Sequence, residues 1–271
     1  MGIFNSSSPA LNDSAFRTAT HSAVVSESAM TVQGTIHKTL LLVLLAGLGA
    51  VYTWKIFAEA VAVFPSAVSA DAATIATNDI AMGAVMPYLI GGLVGGLIFS
   101  LIAIFSPRRS TWAAPLYAVC EGLCLGALSA MFNYQTEGIV LQAVGLTFAV
   151  LLVMLVLYRT GAIKVTNKLR SGIIIATGAI AVCYLATWII GMFSASTVSF
   201  MHDASWLSIG ISLFVVGVAA FNFLLDFDFI NRGTQMGAPK YMEWYGAFGL
   251  MLTLVWLYIE LLRLLSKVYR R

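Results

Sequence analysis

Long apolar runs separated by short polar joints organise the chain. They lie near Thr39–Phe64, Gly83–Phe105, Trp112–Phe132, Gly138–Tyr158, Ser171–Phe193, Trp206–Leu225 and Trp244–Leu265. Each matches the roughly 20 apolar residues a helix needs to cross a hydrocarbon core. The pattern predicts an all-α polytopic membrane protein of seven transmembrane helices, the second and third joined by a hairpin through Ser106–Ser110. Trp112, Tyr134, Tyr158, Trp206 and Trp244 fall near the predicted ends, where interfacial aromatics belong. A polar tail (1–36), rich in Ser, Thr and Ala, precedes the membrane domain (37–271) and is expected to be flexible or a short surface helix. It has no apolar segment of the kind a cleavable signal carries, so the first span is expected to direct insertion.

Composition excludes a soluble alternative. Of 271 residues, 60% are hydrophobic and 10% charged, too little polar surface to cover a water-soluble core. The bilayer is then the main partner, and nucleic acid is not expected. Seven spans place the termini on opposite sides. The joints on the N-terminal side hold Arg108, Arg109, Arg159, Lys164, Lys168, Arg170, Arg232 and Lys240, whereas the opposite joints hold Asp71, Asp79, Glu137, His202 and Asp203. By the positive-inside rule the N-terminus is cytoplasmic and the C-terminus outside. The tail residues Arg263, Lys267, Arg270 and Arg271 run against this. They can snorkel to headgroups, or the seventh segment can be re-entrant.

Helices pack in lipid through close approach, so small residues mark contacts. Gly91, Gly92, Gly95 and Gly96 on the second span, and Gly122 and Gly126 on the third, have that spacing. Cys120, Cys124 and Cys183 lie inside apolar runs and read as packing residues rather than a disulfide or zinc framework.

Ionisable residues within spans are costly and tend to mark pathways, relays or paired cores. The candidates are Glu121 in the third span, Asp226 and Asp228 closing the sixth, Glu243 opening the seventh and Glu260 within it. Lys55 and Glu59 lie four apart in the first. Glu121 is roughly 13 Å from the cytoplasmic end of its helix, so Glu121, Asp226, Asp228 and Glu243 can converge on an inward-facing acidic vestibule. Glu260, roughly 25 Å along the seventh helix from Glu243, is expected to meet Lys55 or Arg263 on the outer side. Carboxylate oxygens suit Ca²⁺, and closely spaced carboxylates share protons and so sense pH. The plainer readings are solvation or pairing with Arg232 and Lys240 for Asp228 and Glu243, and a core hydrogen bond to Ser, Tyr or backbone for Glu121. No HExxH or GxSxG occurs, and His21, His37 and His202 lie in or beside tails and loops, so no enzyme chemistry is expected. No cofactor is expected beyond Ca²⁺ as a permeant or bound ion, with Asp226 its candidate ligand.

The order of features resembles a known family. The Glu121-Gly122-Leu123 step, the Leu225-Asp226-Phe227 step ending the sixth run and the acid-bearing LYIELLRLL segment are similar to those of the Bax inhibitor-1/YccA family, in a divergent bacterial branch. The resemblance covers about residues 35–265. It implies a central last helix wrapped by six others, in a bacterial inner membrane, and a pH-sensitive Ca²⁺ leak governed by one acid near the end of the sixth helix and one in the seventh. The first maps onto Asp226. The second maps onto Glu260, or onto Thr253 if the alignment follows the Leu-Leu-Arg step. The rival reading is a non-conducting regulator that binds a membrane protease or another membrane complex through its soluble tail.

Overall fold

In a computed structural model the structure describes residues 29–62, 70–193 and 205–270, with backbone alone for 70–80 and 192–193. The tail up to residue 28, the side chains of Asp71 and Asp79, and the His202-Asp203 pair lie outside the described residues. The helices are α1 (Val32–Ala62), α2 (Ala70–Phe105), α3 (Ser110–Gln135), α4 (Ile139–Arg159), α5 (Asn167–Phe193), α6 (Trp206–Gln235) and α7 (Met242–Tyr269), with a 3₁₀ turn at Pro107–Arg109. All seven are long and apolar enough to span a membrane. The expected all-α, seven-helix architecture is what the chain adopts. The last helix is the most buried, 61% of its span against 11–44% for the others.

The helices run past the apolar segments at several ends. α1 begins at Val32 rather than near Thr39, because Thr31 caps it: its Oγ1 accepts the Gly34 N–H at 2.9 Å, satisfying one of the orphan donors of a helix start. The larger departure is α6. It continues ten residues beyond Leu225, so Asp226 and Asp228 lie inside the helix rather than closing it. What stops α6 is the backbone. Gly237 takes a positive φ of 66°, its N–H bonds to the Thr234 carbonyl, and the Ala238 N–H reaches back to Gly233. Together these form a Schellman cap, with Pro239 following where no helix can continue.

The fold divides into two compact units. One comprises the described residues of Ala15–Glu137 with Gly233–Met251, and therefore holds α1–α3 and the start of α7. Close approach governs its packing. A Cβ on Gly122 or Gly126 would run into the backbone of Ala46 or Ala50 on α1, and one on Gly92 would lie 2.5 Å from the Cys120 carbonyl oxygen. Gly91, by contrast, faces open space. Farther along, Phe57, Ala81, Val85, Ala127 and Ala130 form a buried cluster.

The other unit comprises the described residues of Gly138–Arg232 and Leu252–Arg271, with α4, α5, most of α6 and the rest of α7. Ile180, Val215 and Val218 form its buried cluster, with Tyr184 and Trp256 packed against them. Four of the acids singled out in the sequence are thus distributed two and two. Glu121 and Glu243 belong to the first unit, Asp226 and Asp228 to the second.

Candidate ion-handling site

α6 and α7 position Asp226. The carboxyl is 5% exposed, and its Oδ2 accepts a 2.6 Å hydrogen bond from the Thr253 hydroxyl. Thr253 is the residue to which one of the two alignments pointed. Among the described residues no Lys or Arg comes within ion-pairing distance of Asp226.

Asp228 lies two residues on, turned roughly 200° around the helix by the 3.6-residue repeat. It meets Arg170 at the start of α5 at 2.5 Å and Arg232, one turn along α6, at 2.8 Å. Pairing with Arg232 was expected; Arg170, 58 residues away in sequence, was not. The acid is held between two guanidinium groups, a strong charge-assisted arrangement.

Glu260 is 1% exposed. Its Oε1 accepts from the Tyr184 hydroxyl at 2.8 Å and from Arg263 at 3.3 Å. The Arg263 guanidinium also lies 5.3 Å from the Tyr184 ring centre, a cation–π distance. Of the two expected partners Arg263 is therefore the one present. Lys55 instead pairs with Glu59 at 3.7 Å, on side chains 75% and 66% exposed.

Glu243, in the first unit, was expected to be solvated or to pair with Arg232 or Lys240. The structure buries it to 1% exposure against the start of α1. Its Oε1 accepts from the Thr31 N–H at 2.9 Å and the Thr31 hydroxyl at 3.0 Å, and its Oε2 takes Lys38. Gly34 leaves the space this carboxylate occupies, and Lys38 also lies over the Trp244 ring. Beside this clamp the Met30 N–H donates to the Ala238 carbonyl at 2.7 Å. The interaction is a helix cap and an ion pair in one, tying the two ends of the chain in the unit together.

Glu121 differs again. It is partly buried against Gly96, where an added Cβ would sit 2.8 Å from its Oε2. Among the described residues no hydrogen bond or ion pair reaches it, so the plainer of its two readings, a core hydrogen bond to Ser, Tyr or backbone, is not met there. Nor do three or more His, Cys, Asp or Glu side chains gather as a metal site among the described residues.

The acids thus sort into two chemical kinds. Asp228, Glu243 and Glu260 have fixed cationic neighbours and are neutralised in place. Among the described residues Asp226 and Glu121 have none: Asp226 accepts only the Thr253 hydroxyl. Neither Lys38 nor Arg170 carried a local sequence signal; Thr253, an isolated hydroxyl seven residues before Glu260 in an otherwise apolar run, did.

Compared with known families, the model described as Bax inhibitor 1 like matches residues 8–270. Comparison with curated proteins and with solved structures finds no match.

Proposed function

Because the chain belongs to the Bax inhibitor 1 like family, we propose that it is a multi-pass protein of a bacterial inner membrane that leaks Ca²⁺ in response to pH, with Asp226 as the gating carboxylate. The observation that carries this reading is the environment of Asp226: deep in the protein, held by a hydroxyl, and free of any cationic partner among the described residues. An ionisable group in a membrane helix is costly, and pairing offsets that cost for Asp228, Glu243 and Glu260. Asp226 has no such offset, which fits a group whose counter-ion comes and goes. Protons and Ca²⁺ compete for the same two oxygens, and the competition makes flux depend on pH. Glu121, the other cation-free acid, is a second station.

One carboxylate and one hydroxyl fall well short of the six to eight oxygens that hold Ca²⁺ firmly. The arrangement suits an ion in transit rather than a resident one. The proposal is of a non-catalytic protein with a cytoplasmic N-terminus, the orientation favoured by the Lys and Arg of its joints.

Reconstitution of the full chain in liposomes loaded with a Ca²⁺ dye tests it. Wild-type protein should pass Ca²⁺ with a pH-dependent rate, and Asp226→Asn should abolish that dependence. Flux and pH profile unchanged in Asp226→Asn would reject the reading.

A further inference from the structure

Two joints of the first unit meet at one rim. The α2–α3 hairpin carries Arg108 and Arg109, and the α6–α7 joint carries Lys240 and Tyr241. The Arg108 guanidinium lies 5.9 Å from the centre of the Tyr241 ring, a cation–π distance that sets one joint against the other. Both backbones are fixed. In the hairpin the Arg109 N–H donates to the Ser106 carbonyl at 2.8 Å and the Ser110 hydroxyl to the Pro107 carbonyl at 2.5 Å. In the other joint the Met242, Glu243 and Trp244 N–H groups donate to the Pro239, Lys240 and Tyr241 carbonyls at 2.9–3.1 Å, and the Met30 N–H holds the Ala238 carbonyl.

The charge at this rim is unbalanced. Arg108, Arg109 and Lys240 are all exposed, and none makes an ion pair among the described residues. Neither joint contains an acid. Glu243, the acid that follows, is 1% exposed and already neutralised by Lys38. Depth is set by aromatics. Phe105 is 81% exposed and Trp112 47% exposed, three residues to either side of the Arg108–Arg109 pair. Exposed aromatics at the ends of spanning helices sit at headgroup level, so the two guanidinium groups between them stand at the level of lipid phosphate. The α4–α5 joint of the other unit also exposes three cations, Arg159, Lys164 and Lys168, but on a single loop with no exposed aromatic at its edges.

We propose that this rim is a binding site for the headgroup of an anionic phospholipid, with the phosphate on Arg108, Arg109 and Lys240 and the upper acyl chains against Phe105 and Trp112. A guanidinium offers a planar fork of donors that matches phosphate oxygens. The Tyr241 ring holds the Arg108 fork in place, which lowers the freedom it loses when a headgroup arrives. A zwitterionic lipid carries its own ammonium beside the phosphate and gains little from three more cations. An anionic one gains from each of them, and basic residues at a membrane surface select it on that ground. The bound lipid bridges the two joints, and so fastens the α2–α3 hairpin to the start of α7.

The test adds phosphatidylglycerol, or phosphatidylcholine with the same acyl chains, to the purified full chain in neutral detergent and reads bound lipid by native mass spectrometry. Wild-type protein should prefer phosphatidylglycerol, and the preference should fall about fivefold for each cation removed. Arg108→Gln, Arg109→Gln and Lys240→Gln together should abolish it; all three side chains are exposed, so the melting temperature of lipid-free protein should hold. Tyr241→Ala should weaken binding about threefold and Tyr241→Phe should leave it intact, a split that surface charge alone does not produce. Equal binding of the two lipids by wild-type protein, or a preference that survives the triple substitution, would overturn the proposal. So would an equal loss when Arg159, Lys164 and Lys168 are changed to Gln instead, since the attraction would then be diffuse. A polyglutamate peptide that binds wild-type protein but not the triple variant, with no preference between lipids, would assign the rim to an acidic protein segment and reject the lipid.

Discussion

Asp226 and Asp228 are two residues apart on α6, yet they sit in opposite electrostatic settings. The face carrying Asp228 meets two arginines at 2.5 and 2.8 Å. The face carrying Asp226 meets one hydroxyl at 2.6 Å. Helical rotation alone separates them, since a step of two residues turns a side chain to nearly the opposite side. The comparison teaches that an acid in a membrane helix is not a uniform signal. On one face it is a strut whose charge is cancelled within the fold; on the other it is a buried acid held by one hydroxyl, with no Lys or Arg at ion-pairing distance among the described residues.

Removing charge from each face should have opposite consequences. The largest effect on stability is expected for Asp228→Asn. It leaves Arg170, whose side chain is only 15% exposed, without its carboxylate and removes one partner of Arg232, and breaking a buried pair on one side costs about 3 kcal/mol. Thermal unfolding in detergent should show a clear loss, while flux per folded molecule is retained. Thr253→Val is expected to cost about 1–3 kcal/mol, since it leaves a buried carboxyl without its donor; a melting point equal to wild type would mean that Asp226 has another partner. Asp226→Asn should change stability by less than about 1 kcal/mol, because the amide oxygen still accepts the Thr253 hydroxyl, while it removes the pH dependence of flux. Were it to melt as early as Asp228→Asn, the two faces would be doing the same structural job and the distinction would collapse. The smallest effect is expected from deleting residues 1–28. Flux should be unaltered, and its loss would move the activity to the tail and favour the regulator reading.

Much of the fold was legible in the sequence because hydrocarbon imposes a length and a composition on anything that crosses it. The seven runs became seven helices, and the Ser106–Ser110 hairpin formed around a 3₁₀ turn at Pro107–Arg109. The end of α6 was misplaced because hydropathy ends where the lipid ends, whereas a helix ends where its backbone is capped. The signal for the true end, Gly237-Ala238-Pro239, was present in the chain as a glycine cap followed by proline.

The site was legible only in part. Asp226 stood out because its neighbours are apolar, and Arg263 was one of two partners spacing allowed for Glu260. Lys38 and Glu243 are 205 residues apart, and nothing local to either announces the other. Glu243 was read as a rim acid and proved to be the clamp on the start of α1. Lys55, an expected partner for Glu260, satisfies itself one turn away on Glu59.

By itself, the sequence determined that lipid is the solvent, that seven helices cross it, and that only a handful of carboxylates enter. Those follow from apolar length and the cost of charge in hydrocarbon, which depend on composition alone. Tertiary structure decided which carboxylates keep a fixed counter-ion. An ion pair needs two side chains within about 4 Å, a distance set by helix rotation and register. Two residues' turn about α6 is enough to give Asp228 two arginines and leave Asp226 with a threonine.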